Sequence, residues 1–189
     1  QRADTSPLES FGDGVLSVAD VLQTRRYAAG LDAVRFAGGP NTASLASVSS
    51  AIEGKRTSLA GREIHPVRVA RVGNQVTLAV IMDAQGDEVG IGFTLNYDPT
   101  VISNPSNITP GAGASGMTLT YNANTQGRIG IVLDKDPLQP LPAGPAELVR
   151  ITFTVAPSNP STAQINFGNV PVRREVVNGL AQPLAVTFT

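Results

Sequence analysis

The sequence has no cysteine, no tryptophan and a single histidine, and only 15% of its residues are charged. Without cysteine there is no disulfide framework, no thiolate nucleophile and no Cys-based zinc site. Without tryptophan, the usual platform of a sugar-binding sandwich, a ring face stacked on a pyranose, loses its best side chain. Ser-His-Asp chemistry would have to be assembled around His65, which Pro66 follows, and the chain carries no nucleophile-elbow motif. Charge of one sign is also lacking. A net charge of −1 and a pI near 5.8 leave no basic field to attract nucleic acid or an anionic membrane. No apolar run approaches the roughly 18 residues of a membrane span, so membrane insertion is not expected, and the N-terminus lacks a charged-then-apolar signal pattern.

What is present is a chain of 189 residues, enough for one domain with a small appendage, rich in Thr, Asn, Gly and Pro. That composition is nearer to secreted bacterial β-modules than to cytosolic enzymes. Gln1 begins inside what reads as a module and Thr189 ends in a strand-like run. The expectation is therefore a secreted bacterial protein fragment, extracellular or on the cell surface.

Two kinds of periodicity divide the chain. Gly12-Asp13-Gly14-Val15-Leu16-Ser17-Val18-Ala19-Asp20 begins as an oxygen-bearing, glycine-kinked loop and runs into an amphipathic helix. Asp13, Gly14, the Val15 carbonyl, Ser17 and Asp20 fall at positions 5, 6, 7, 9 and 12 of a twelve-residue calcium loop. Counting back puts Glu9 at position 1 and Phe11 at position 3, where a phenyl ring cannot ligate a hard cation. Ser17 is equally a good N-cap, with Asp20 in the first turn where the helix dipole favours an acid. Helical spacing of Val18, Val21 and Leu22 predicts a helix over Val18 to Ala29, closed by Gly30. A helix of about twelve residues is marginal alone and needs a surface to pack on. Residues 38–61, rich in Gly, Ala and Ser, read as a linker, with a weak helical pattern from Thr42 to Glu53.

From Arg62 onward the period is two. Gln75 to Asp83 is apolar nearly throughout, as expected of a strand buried on both faces or of a core strand of a sandwich. Val89-Ile91-Phe93-Leu95-Tyr97 alternate with Gly90-Gly92-Thr94-Asn96, and the same alternation recurs at Met117 to Tyr121, Ile129 to Leu133, Val149 to Val155, Ile165 to Phe167 and Val186 to Phe188. Turn signals such as Gln85-Gly86-Asp87 and Asp98-Pro99 separate them. Seven or more short strands at this spacing predict an all-β sandwich.

These residues carry two resemblances. Residues 2–31 resemble one repeat of a dockerin, the calcium-dependent plug of cellulosome-type assemblies. A dockerin repeat more usually reads Arg-Ala-Asp-Val-Asn-Gly-Asp-Gly, whereas here Arg2-Ala3-Asp4 is separated from Gly12-Asp13-Gly14. The simplest alignment makes Asp4 the first ligand, with an insertion looped out after it. The resemblance implies Ca²⁺ as cofactor, held by Asp4, Asp13, Val15, Ser17 and Asp20; the alternative is a degenerate loop that keeps only the shape. Residues 62–189 resemble a cohesin domain, the receptor for dockerins, through Phe93-Thr94-Leu95-Asn96-Tyr97-Asp98-Pro99, Gly127-Arg128-Ile129-Gly130-Ile131 and Leu148 to Val155. That implies a mainly β chain, a jelly-roll β-sandwich of about nine strands with a short N-terminal loop-helix segment. The expected domains are 1–37, the dockerin-like segment, 38–61, the linker, and 62–189, the sandwich.

The cohesin resemblance implies a protein partner bound on a sheet face, where Thr94, Asn96, Arg128, Arg150 and Thr152 would lie, and the dockerin resemblance adds Arg25 and Arg26. Each has a plainer reading as solvated sheet surface or as a cation at a helix end. Asp83, Asp87, Glu88, Asp98, Asp134 and Asp136 are candidates for a glycosidase pair, but most lie beside turns, where Asp bonds its own backbone. No catalytic residue is expected. The function expected is non-enzymatic attachment through a dockerin- or cohesin-type partner, by analogy with polysaccharide-degrading complexes. The partner could be the chain's own N-terminal segment, docked as a cap. Polysaccharide binding and a structural spacer are the alternatives.

Overall fold

The computed structural model describes residues 3–8, 12–35, 61–136, 139–156 and 164–189. Among these residues one α-helix, α1 (Val18–Ala28), precedes ten strands: β1 (Glu63–Val72), β2 (Gln75–Ala84), β3 (Glu88–Tyr97), β4 (Ile102–Pro110), β5 (Thr118–Asn122), β6 (Arg128–Asp134), β7 (Gly144–Val155), β8 (Ile165–Gly168), β9 (Glu175–Asn178) and β10 (Thr187–Phe188). The alternation read from the sequence is thus realised as a jelly-roll sandwich. The first sheet runs β10-β1-β2-β7-β4 and the second β5-β6-β3-β8, with β9 pairing on β3 beside β8. The linker and its weak helix over Thr42 to Glu53 lie outside the described residues, as do Glu9 and Phe11 of the first calcium-loop alignment.

The inner faces meet in one core. Ile91, Phe93, Leu95, Ile129, Ile131 and Leu133 come from the second sheet, and Val80, Met82, Ile151 and Phe153 from the first, all at 2% exposure or less. Phe93, Phe167 and Phe188 close one end as tilted and edge-on rings with centroids 5.1 to 6.4 Å apart, and Tyr97 meets Phe153 at 5.2 Å. β3 is the most deeply buried strand, because its outer side is also covered.

Three strands show what alternation alone left open. Of the two readings of β2, the core strand of a sandwich is the one realised: Thr77, Ile81 and Asp83 alternate with buried Val76, Val80 and Met82 and stay half-buried. β4 was hidden by its turn-type residues. It is a bulged edge strand in which Asn104 and Asn107 take φ near +49° and +48° and the register with β7 shifts twice, so Asn and Pro fit where a flat central strand would reject them. β9 is four residues long, too short for a periodic signal, and is held by pairing with the first half of β3.

α1 starts where the sequence places it. Ser17 Oγ accepts from Ala19 N–H, and Asp20 reaches back to Ser17 N–H at 2.8 Å, a capping box. Gly30, at φ +70°, donates to the Tyr27 carbonyl and ends the helix one residue earlier than expected. The helix does not stand alone. Val18, Ala19 and Leu22 form a second buried cluster with Val89, Val177 and Ala181, so the apolar stripe of α1 is spent on the outer side of the second sheet.

Candidate protein-interaction face

The outer face of the second sheet is built around three glycines. Gly90 and Gly92 on β3 and Gly130 on β6 point away from the core, where any side chain would stand proud of the sheet. Two pieces of chain lie on them. A Cβ added at Gly90 would sit 2.9 Å from Val18 Cγ2, and one at Gly130 would sit 2.8 Å from Pro171 and 2.9 Å from Val172. At Gly92 it would meet both covers, Val172 at 3.2 Å and Val18 at 3.7 Å. Apart from the 3.7 Å between Gly92 and Val18, these separations are tighter than ordinary van der Waals contact, so glycine is what lets the helix approach at Gly90 and the loop at Gly92 and Gly130.

Polar contacts tie the N-terminal segment to the same face. Arg25 meets the buried Asp134 of β6 at 2.5 Å. Burial pushes the Asp134 carboxyl above its ordinary range, and the Arg25 charge offsets part of that. Arg26 donates to the Gly179 carbonyl beyond β9 and forms a bidentate pair with Asp32 at 2.7 and 2.9 Å. That pairing, with a further bond from Gln23, holds Asp32 below the usual carboxylate range. Arg173 lies 3.8 Å from Asp13. The outward side of α1 is bare among the described residues: Leu16 and Val21 are exposed and, with Ala3, Ser17, Asp20, Thr24 and Arg25, line an apolar groove of about 380 Å³.

The residues assigned to a partner face do not share one. Thr94, Asn96 and Arg128 belong to the second sheet, Arg150 and Thr152 to the first. Thr94 is fully buried, its hydroxyl donating to the Val172 carbonyl at 2.7 Å and accepting from Val172 N–H at 2.9 Å. Thr152 is buried against Thr77, with hydroxyls 3.2 Å apart, and Arg150 forms a two-bond pair with Glu147. Arg128 is exposed and Asn96 half-buried. Arg25 and Arg26 contact their own sandwich, at Asp134 and at the Gly179 carbonyl. Gly90, Gly92 and Gly130, which alternation marked only as small outward positions, are the residues that shape the face.

The side chains among the proposed calcium ligands are hydrogen-bonded within the N-terminal segment. Both oxygens of Asp4 accept backbone N–H groups, from Asp13 at 3.0 Å and Gly14 at 2.7 Å. Asp20 accepts from Thr5 at 2.6 Å, Ser6 at 2.8 Å and Ser17 at 2.8 Å. Asp13 is exposed and accepts from Val15 N–H, and the Ser17 hydroxyl caps the helix. Among the described residues no three acidic or histidine side chains gather around one point.

Among the glycosidase candidates, Asp87, Glu88, Asp98 and Asp134 are engaged by neighbours. Glu88 accepts from the N–H groups of Gln85, Gly86 and Asp87 and from Arg62, which also meets Asp87. Asp98 is held by Thr100, Asp134 by Arg25. His65 is half-buried on β1.

No protein-family model matches the chain, and no curated protein is similar to it in sequence. Solved structures do match it in three dimensions. The sixth cohesin of Acetivibrio cellulolyticus scaffoldin B, in complex with a Cel5 dockerin mutant, superposes with a TM-score of 0.58 at 16% identity over 68% of this chain and 94% of that one. A Clostridium thermocellum type I cohesin–dockerin complex gives 0.56 at 16% identity, covering 71% and 93%. A non-cellulosomal cohesin of the archaeon Archaeoglobus fulgidus gives 0.55 at 14% identity, covering 68% and 86%. The covered share is about that of the sandwich, so the fold of this part is cohesin-like.

Proposed function

We propose that this chain is a non-enzymatic attachment module of the cohesin kind, whose ligand is a helical, dockerin-type segment seated on the outer face of the second sheet. The observation that carries this reading is the seating of α1 itself. A helix entered from a calcium-loop-like turn lies with Val18 over Gly90 and Gly92, and Arg25 reaches Asp134 beside them. The N-terminal segment is then an occupant in cis, a cap on the face that a dockerin-type partner would use. An extracellular setting, and a place among polysaccharide-degrading assemblies, follow from the same analogy; the archaeal neighbour, described as non-cellulosomal, supports a wider range of hosts.

The test is calorimetric titration of isolated dockerin modules into the whole chain and into a Leu22→Asp variant, which places a charge in the contact under α1. A face already occupied in cis binds an outside ligand more weakly, in proportion to the fraction of molecules that are open. The variant should therefore bind at least about tenfold more tightly than the parent. Failure of parent and variant alike to bind a broad dockerin panel, with α1 released in the variant, would overturn the reading.

A further inference from the structure

We infer that the N-terminal loop is a cation-free turn, in which backbone N–H groups neutralise the two carboxylates that a calcium loop would turn toward its metal. Asp4 and Asp20 are 1% and 3% exposed, and an unpaired carboxylate so buried would be costly. Five amides supply the compensation. Asp13 and Gly14 donate to the two oxygens of Asp4, Thr5 and Ser6 converge on Asp20 Oδ1, and Ser17 takes Oδ2. Bonds to a charged acceptor are short and strong, and the distances of 2.6 to 3.0 Å here are of that kind.

The directions of these donors decide the matter. Ca²⁺ needs about 6 to 8 oxygens pointed at one centre. Here the space before Asp20 Oδ1 is filled by two N–H groups whose positive ends would face a cation. Behind Asp4 the chain is packed: a Cβ on Gly12, which sits at φ +110°, would lie 2.4 Å from Asp4 Oδ1. The third acid, Asp13, is turned outward toward Val15 N–H and Arg173. The loop thus keeps the turn, the carboxylates and the helix start of a calcium loop, and closes them with main-chain dipoles. Its consequence is that α1 stays docked without metal, so attachment in cis cannot be gated by calcium.

The measurement is paired: calorimetric titration of Ca²⁺ into the chelator-dialysed whole chain, and hydrogen exchange at the amides of Thr5, Ser6, Asp13 and Gly14 in EDTA and in Ca²⁺. The expected result is no stoichiometric heat up to about 10 mM Ca²⁺, above the roughly 10⁻⁴–10⁻³ M of weak extracellular sites, with the same protection in both buffers. Asp4→Asn should lower protection at Asp13 and Gly14 about ten- to a hundredfold, equally with and without Ca²⁺. One-to-one Ca²⁺ binding, or protection that appears only when Ca²⁺ is added, would overturn the inference in the unaltered protein, whatever the variant does.

Discussion

Glu88 illustrates how a turn acid becomes structural. It is fully buried, and burial alone would raise its carboxyl. The amides of Gln85 and Gly86 and the Arg62 guanidinium outweigh that and hold it below the ordinary carboxylate range. A carboxyl depressed in the folded state contributes stability that is fully present above the unfolded pKa, near 4.3 for Glu, and is lost as pH falls through the folded value. Denaturant midpoints measured on acidification should therefore fall for the parent below about pH 4, while Glu88→Gln should start less stable and show a flatter acid limb. An unchanged slope in the variant would remove Glu88 as the cause. The neighbouring ion pair can be read separately. Arg25→Ala should move the Asp134 carboxyl still further up in an NMR titration, because the Arg25 charge is what opposes the effect of its burial.

At the scale of elements, the docked helix depends on absence of side chains beneath it. Gly90→Ala would drive a methyl into Val18 and Val177, at 2.9 and 2.7 Å, whereas Gly130→Ala would strike only Pro171 and Val172. Overpacking of this kind costs about 1–3 kcal/mol. Hydrogen exchange should show α1 amides opening in Gly90→Ala and not in Gly130→Ala; equal opening in both would mean that the loop, and not the helix contact, controls the face. Leu22→Ala, at a side chain with 0% exposure, should cost about 2–5 kcal/mol, taken mainly from α1 docking.

For the whole molecule, the two buried clusters predict two levels of stability. Phe93 touches Phe167 and Phe188 in the main core, and Phe93→Ala should cost about 3–5 kcal/mol and lower the global denaturant midpoint. Because α1 packs on β3, that variant should loosen the helix as well. The reverse does not hold: Leu22→Ala should leave exchange in β6 and β7 near the parent's, since those strands pair within the sandwich. Loss of protection throughout the strands in Leu22→Ala would join cap and sandwich into one cooperative unit.

Much of this architecture was legible in the chain because its signals are local. Alternation at Val89 to Tyr97 or Ile129 to Leu133 reports one buried sheet face, and Ser17, Asp20 and Gly30 mark helix ends through hydrogen bonds that close within a few residues. β4 and β9 were not legible, one for its bulges at Asn104 and Asn107, the other for its length. The candidate face was harder still. Thr94, Thr152 and Arg150 read as free outward residues until the fold brought Val172, Thr77 and Glu147 against them. In the same way Asp20 reads as a calcium ligand by spacing and Asp4 by the dockerin resemblance, yet neither signal can say whether a metal or an amide stands before each oxygen. The sequence by itself determined which side of each regularly alternating strand faces inward and where the helix starts, since both follow from the period and the cap. Only the tertiary structure decided what covers the outward side, because a sheet's second face is defined by segments far away in the chain, here Val18 over Gly90 and Pro171 over Gly130.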